Sequence, residues 1–589
     1  MNPGFLLAHF DQISAAPDAI PKLRGFILDL AVRGKLVEQN PTDEPAAQLM
    51  NRIAATKSKL GKSAGVVRVD AIGAEDAPFK IPSSWVWVRL AEICSKTGSG
   101  STPRGGKSVY QADGVPFLRS QNVYDNGLRL DDVAYISPQT HQKMSGTAVE
   151  PGDLLLNITG GSIGRCCSIP AIFGQANVSQ HVAIIRMAIG DLQGYLHQLI
   201  LSPYFQSFVF SEQTGAGRGG LPKNRMDRIP VALPPLAEQY RIVATINQLM
   251  ALCDRLEVVR GERESQRDRL IAASHYHLNN SANVEGFRKH SHFCLNHFPR
   301  LTTRPEHIPA LRRTILSLAV RGQLVHQNPS DEPASELLKR IQVEKSRLTE
   351  DGNIKKDKRT WEGLPKDPPH ELPVTWIWTC LQDVFEISRG GSPRPAGDPR
   401  YFGGPIPWIT VREITKDGEK YLTSTEGGLT EEGATRSRFI ESGDLLLTNS
   451  GATLGVPKIS RIKACMNDGV ALLRLFHSVP LNEFAYLYLH SQTDAFRRVN
   501  QGMGQPNLNT PIIAGWFFPL PPLAEQRRIV AKVDELMALC DRLEAQLATV
   551  ETETSRLLES VLHHALKETA ERVVPSEVPT FVGAVSSLR

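Results

Sequence analysis

Residues 233–257 read LPPLAEQYRIVATINQLMALCDRLE, and residues 520–544 read LPPLAEQRRIVAKVDELMALCDRLE, identical at 20 of 25 positions. A second pair lies upstream of each. Residues 30–46 (LAVRGKLVEQNPTDEPA) recur at 318–334 (LAVRGQLVHQNPSDEPA) with 14 of 17 residues unchanged. Between the paired stretches, about 80–232 and 371–519 share only scattered landmarks. A near-copied frame thus encloses two diverged segments. A fixed period is the first sign of repeat architecture, and one job done twice on two targets is what this period implies.

Each LPPL is followed by Ala-Glu-Gln and a helical pattern. The prolines close the preceding segment and set the start of a long helix. In the second copy Ile529, Val533, Leu536, Cys540, Leu543, Leu547, Val550, Leu557 and Val561 follow 4-3 spacing with one break at Thr554, a coiled-coil seam. The first copy keeps Ile242, Ile246, Leu249, Cys253 and Leu256, then becomes charged over Arg260–Arg269. Seam against seam is the simplest way to cover both stripes. At 1.5 Å per residue, 529–565 spans about 55 Å, more than one DNA turn of about 34 Å.

The first unit opens with Leu23, Ile27, Leu30 and Ala31 at helical spacing, and Gly34 sits where a helix stops. A turn, NPTDEP, with an Asp or Thr cap, leads to a second amphipathic helix carrying Leu49, Ile53 and Leu60. The diverged segments begin with aromatic strands, Trp85-Val86-Trp87 and Trp376-Ile377-Trp378, whose tryptophans read as core. They share Gly152–Leu156 with Gly443–Leu447, and Thr159-Gly160 and Gly164 with Ser450-Gly451 and Gly455. Val182–Arg186 and Val470–Arg474 read as strands, and 191–212 and 481–500 as helices. Each segment is a mixed α/β domain of ordinary size.

The fold expected is α/β: two mixed α/β domains separated by long coiled-coil helices, in an internal repeat. The boundaries are 1–79 (helical region), 80–232 (first module), 233–370 (long helix and linker), 371–519 (second module), 520–575 (second long helix) and 576–589 (tail). At 589 residues the chain needs about four packed units. No run of about 18 apolar residues occurs, and no signal peptide is read at the N-terminus. Eight cysteines lack metal-type spacing, which implies a reduced, cytoplasmic protein without zinc or disulfides. Cys253 and Cys540 read as small buried residues. A net charge of +5 fits nucleic-acid binding and equally an ordinary, mildly basic protein.

Catalytic motifs resolve into decoys. Asp367-Pro368-Pro369-His370 lacks the aromatic residue that stacks on a flipped base and has no Gly-rich cofactor loop upstream. Gly215–Gly220 is glycine-rich, but no Lys-Ser or Lys-Thr follows. Asp43-Glu44 and Asp331-Glu332 fall in the duplicated turns, where capping accounts for them better than acid–base work. No catalytic residue and no metal site is expected.

The two LPPLAEQ-x-RIV helices, the GDLLL and TG/SG-x-x-x-G landmarks and the aromatic opening strands together resemble the specificity subunits of type I restriction–modification systems, over almost the whole chain. The resemblance implies a non-catalytic DNA-specificity subunit. The fold it implies is two mixed α/β target-recognition domains separated by long antiparallel coiled-coil helices in a pseudo-two-fold internal repeat, each domain reading one half of a bipartite, asymmetric site and the helices setting the gap. Two adenine-N6 methyltransferase subunits would dock on the frame, joined by restriction/translocase subunits. S-adenosylmethionine, ATP and Mg2+ would bind those partners and not this chain. The rival readings are an enzyme with its own methyltransferase or nuclease, a coiled-coil protein-interaction scaffold and a stand-alone bipartite DNA-binding protein.

Base edges are read by Arg, Asn, Gln, Ser and Thr, and phosphates are held by Lys, Arg and backbone N–H groups. In the first module the candidates are Ser101, Thr102 and Arg104 in a Gly-rich loop, then Arg119, Ser120, Gln121 and Asn122 after an apolar strand. Asn157, Thr159 and Ser162 follow GDLLL, and Arg218, Lys223 and Asn224 form the last loop. The second module offers Arg389, Ser392 and Arg394, then Thr410 and Arg412. Asn449, Ser450 and Thr453 come next, then Gln505, Asn507 and Asn509. Thr159-Gly160 and Ser450-Gly451 occur in both modules, so they suit turns or phosphate contacts better than discrimination between targets.

Overall fold

The computed structural model describes residues 16–60, 77–212, 219–279, 284–352, 367–451, 453–476, 482–499 and 507–568, with isolated positions at 72, 73, 75 and 354. The chain divides into two units, residues 1–264 with 550–589 and residues 265–549.

In unit 1, helices Ala19–Val32 and Ala46–Lys59 form the frame. The first ends at Gly34, whose φ of 68° favours glycine. A Cβ there would lie 2.5 Å from the Pro82 ring, so the glycine also admits the start of the module. Pro45, not a Thr or Asp side chain, caps the second helix. The expected capping role of Asp43-Glu44 is therefore corrected. Asp43 pairs with Arg241 at 2.5 Å, and Glu44 with Arg52 at 3.0 Å. Leu60, expected on the apolar stripe, is 49% exposed.

The opening strand Val86–Arg89 pairs antiparallel with Pro230–Leu233, Val86 opposite Leu233. Between them lies an antiparallel sheet in the order Cys94–Ser99, Val182–Met187, Leu154–Asn157, Cys166–Ser168. Leu154, Leu156, Ala183 and Ile185 face the helical core on one side. Leu155, Val182 and Ile184 face a second core on the other, beside the three-stranded sheet Ala134–Ile136, Val115–Leu118, Asn177–Val178. Cover on both faces explains why Leu154-Leu155-Leu156 is continuously apolar. Asp153 beside it is buried and bonds the guanidinium of Arg186 at 2.7 Å. The helix expected at 191–212 is two, Gln193–Leu201 and Pro203–Ser211, divided at Ser202, which caps the second.

Unit 2 repeats this plan. Helices Ile308–Val320 and Ala334–Glu350 form its frame. Ile377–Cys380 pairs with Phe517–Leu520. The main sheet runs Phe385–Arg389, Val470–Leu475, Leu445–Thr448, Pro457–Ser460, Tyr421–Leu422. Its second sheet is Gly428–Leu429, Phe402–Ile409, Ala464–Met466, Arg438–Ile440. Asp444 pairs with Arg474 at 2.5 Å, and Gly322 has φ 70° under Pro373. Asn482–Ser491 and Thr493–Arg498 stand where one helix was expected at 481–500.

The long helices are Leu236–Asn279 and Leu523–Glu568, each continuous. Their first turns lock onto the frame of their own unit in the same way. Glu238 accepts from Gln39 Nε2 at 2.6 Å and Trp85 Nε1 at 2.9 Å; Glu525 accepts from Gln327 Nε2 at 2.5 Å. Arg24 reaches Asp254 and Glu257 at 2.6 and 2.7 Å, and Arg312 reaches Asp541 and Glu544 at the same distances. The expectation of seam against seam is corrected at these positions. Ile242, Ile246 and Cys253 belong to the unit 1 core, together with Leu28 and Val32. Ile529, Val533 and Cys540 belong to the unit 2 core, together with Ile315, Leu316 and Ala319. Within unit 1, Leu558 and Val561 cover Ala16 and Ala19. Within unit 2, Asp268 of the first long helix bonds Arg304 at 2.5 Å. Leu256 and Val550, both assigned to the seam, are 51% and 60% exposed.

Candidate nucleic-acid interface

The register of the unit 1 sheet places Ser99, Asn157, Cys166 and Val182 at one end. The loops leaving or entering there converge. Gly100 N–H donates to Val182 O at 2.9 Å, and Ser101 N–H to Val178 O at 3.1 Å. A Cβ on Gly100 would sit 2.1 Å from Val178 O, so this crossing of loops admits only glycine. Ser179 N–H donates to Leu118 O at 2.9 Å, bringing in the 119–122 turn. Asn157 Nδ2 donates to Ser120 O at 2.8 Å and to Ser162 Oγ at 3.1 Å. Ile158 N–H donates to His181 O at 3.0 Å, and Leu221 N–H to Ile158 O at 2.9 Å. All four candidate loops of the first module therefore meet on one surface.

Their side chains divide into three groups. Asn122 and Asn157 are buried and correct the expectation that they read DNA. Asn122 Oδ1 accepts from Arg119 N–H at 2.9 Å and its Nδ2 donates to Arg129 O at 2.9 Å, so it closes a turn. Asn157 holds two loops together. A second group is partly occupied. Arg119 donates to Asp132 O at 2.7 Å, and Gln121 is bonded to the Asp132 carboxylate. Lys223 donates to Thr97 Oγ1 at 2.9 Å and pairs with buried Asp227 at 2.5 Å. Thr159 Oγ1 and His181 Nδ1 share a 2.6 Å bond. The third group, Ser101, Thr102, Arg104 and Asn224, is exposed; Ser120 and Ser162 are half-buried. Arg218 lies outside the described residues.

The second module builds the same surface. Gly390 N–H donates to Val470 O at 3.0 Å and Gly391 N–H to Met466 O at 3.1 Å. Gly390 is as tightly placed as Gly100, 2.0 Å from Asn467 O for a Cβ. Asn467 N–H donates to Ile409 O at 2.9 Å, Asn449 N–H to Gly469 O at 2.9 Å and Leu508 N–H to Asn449 O at 2.8 Å. Asn449 is buried and, like Asn157, is corrected from reader to scaffold. Thr410 caps the short helix Val411–Thr415 through its backbone. Thr453 O accepts from Thr448 Oγ1 at 2.7 Å, Ser450 bridges to Asn507, and Asn509 caps the helix Thr510–Ala514 with its side chain. Gln505 lies outside the described residues.

The centre of this second surface is Asp468. Arg389 Nε donates to its carbonyl oxygen at 2.6 Å, Ser392 Oγ to its carboxylate at 2.6 Å, and Arg394 stands 3.7 Å from it. Arg412 is 79% exposed beside Glu426 at 3.5 Å. His181, Asn467 and Asp468 were not among the candidates. They lie in polar turns just before the apolar strands Val182–Met187 and Val470–Leu475, and the rule that flagged polar runs after strands also applies before them.

The two surfaces share their backbone geometry and differ in their polar content: Thr159, His181 and Lys223 in one, Asp468, Arg389 and Ser392 in the other. Residues 82–260 and 373–552 each match the family described as type I restriction modification DNA specificity domain. The chain belongs to this family, the specificity subunits of type I restriction–modification systems, and carries two DNA specificity domains. It is 30% identical over 581 residues to the type I restriction enzyme EcoAI specificity subunit of Escherichia coli, covering 93% of this chain and 94% of that one. The EcoEI specificity subunit of the same species is 30% identical over 576 residues, with the same coverage. A crystal structure of the HsdS subunit from Thermoanaerobacter tengcongensis is similar at 20% identity and a TM-score of 0.43, covering 83% of this chain and 98% of that one.

Proposed function

We propose that each module reads one half of a bipartite, asymmetric DNA site through the converging loops at the end of its main sheet. The observation that supports this reading is one surface built twice on the same backbone with different side chains. Arg104, Arg394 and Arg412 suit phosphates, as exposed cations. Thr159 with His181, and Arg389 with Asp468, suit base edges, as oriented donors and acceptors. The long helices set the gap between half-sites, since a continuous helix fixes its own length.

The duplicated frame, with the same ion pairs in both units, suits two copies of one partner. That partner is a methyltransferase subunit acting on adenine N6 with S-adenosylmethionine, joined by restriction/translocase subunits using ATP and Mg2+. The chain itself supplies specificity, and the assembly works in the cytoplasm; no helix among the described residues is long and apolar enough to cross a membrane. The test is a hybrid complex in which residues 80–232 are exchanged for another module of the family, followed by methylation mapping. One half-site changes and the other is kept; a change in both halves refutes the modular reading.

A further inference from the structure

Unit 2 holds a cavity of about 640 Å³ beside its frame helix, lined by that helix, His370, Trp378 and the Thr493–Arg498 helix. Its size is that of a small-molecule site. Among the described residues three guanidiniums line it, Arg313, Arg321 and Arg497, against one carboxylate, Asp494, which stands 4.0 Å from Arg497. Arg321 is half-buried, and burial pushes its guanidinium below the usual value, with no acid among the described residues opposing the effect. A desolvated cation without a counter-charge is costly unless something anionic visits it.

The repeat shows that this is a departure from the shared plan. In unit 1 the equivalent of Arg321 is Arg33, which lies over the Phe79 ring at 4.4 Å. Phe79 in turn packs on Trp87 and Tyr204 at 4.9 and 5.0 Å, and Asp29 supplies a carboxylate whose charge interacts with Arg33. Gly25 there is pressed to 3.1 Å from Pro203 for a Cβ. In unit 2 the same three positions are His370 for Phe79, Ser317 for Asp29 and Arg313 for Gly25. The ring against the tryptophan is kept, His370 on Trp378 at 5.0 Å, but it is an imidazole in place of a phenyl group; the acid is gone and a cation is added.

We propose that this cavity binds a nucleoside phosphate. A phosphate group carries a charge of roughly −1.5 to −2 at neutral pH, which matches the excess of two cations, and guanidinium forks suit its oxygens. Leu316, Val320 and Trp378 offer an apolar wall for the nucleoside. Burial keeps His370 and His490 below the usual histidine range, so both offer neutral rings at pH 7.

The experiment is equilibrium dialysis of the full chain with ATP, AMP and citrate, without magnesium. Saturable ATP binding at one per chain is expected, with AMP competing and citrate failing. The triple variant Arg313→Gly/Ser317→Asp/His370→Phe restores residues that unit 1 already accommodates, and it lowers affinity at least about tenfold, the loss of one or two charge-assisted bonds. Arg321→Gln does the same if the triple variant fails to fold. Arg389→Gln, on the DNA-reading surface, leaves ATP binding unchanged. Absence of saturable binding, equal competition by citrate, indifference to the cavity variants or loss through Arg389→Gln each overturns the proposal.

Discussion

Two cations on the first module's proposed reading surface make opposite predictions from a single difference in their surroundings. Arg104 is exposed on the loop after Ser99. Lys223 is tied to buried Asp227 at 2.5 Å and to Thr97 at 2.9 Å. If Arg104 neutralises a phosphate, Arg104→Gln reduces the slope of log affinity against log salt by about 0.9. Between about 50 and 200 mM salt, a fourfold change, the deficit of the variant relative to wild type then shrinks about 3.5-fold. Lys223→Gln removes a charge that Asp227 already neutralises, so the slope stays the same. The variant instead weakens the anchor of a buried carboxylate that keeps one bond, from Thr97, costing about 1–2 kcal/mol of stability. The assay is fluorescence anisotropy of the assembled complex on a labelled duplex across the salt range, with chemical unfolding alongside. A slope lowered by Lys223→Gln and unchanged by Arg104→Gln refutes the assignment.

Gly100→Ala and Gly390→Ala place a Cβ 2.1 and 2.0 Å from a carbonyl oxygen; each is expected to abolish recognition of its own half-site and spare the other, read by methylation of half-altered duplexes. Deleting one heptad from the charged stretch Arg260–Arg269 is expected to shorten the gap between half-sites or abolish activity, at about 1.5 Å and 100° per residue; an unchanged gap at full activity refutes the ruler. Burial raises the pKa of Glu238, so its protonated form is favoured by folding. The stability this brings is complete below the usual glutamate range and is lost as pH rises through the folded-state value. Glu238→Gln is therefore expected to gain relative to wild type as pH rises above the usual glutamate range in thermal melts; a gain toward acid refutes this sign.

The repeat, the frame helices and the sheet landmarks were legible because they rest on period and punctuation: Gly34 ends a helix, and Leu-Pro-Pro-Leu starts another. The coverage of the apolar stripes was not. Spacing at Ile529, Val533 and Cys540 marks a buried face but does not say which neighbour buries it, and the short frame helix is nearer than a second long one. The loops of the site were legible as polar runs at strand ends. Within them, Asn122 and Asn157 were misassigned because an amide that bonds backbone looks the same in sequence as one that faces solvent, and Asn449 because its burial follows from the packing of the turn and not from its type. His181 and Asp468 were missed because they sit on turns that enter strands, whereas the candidate turns were those that leave strands and the last loop of each module.

Val86 stands opposite Leu233, and Ile377 opposite Leu520. The polypeptide therefore enters and leaves each reading head through one shared doorway. Whatever lies inside can grow, shrink or be replaced wholesale without moving the doorposts. New sequence tastes can be acquired by cassette exchange, while the surfaces that other subunits must recognise stay the same.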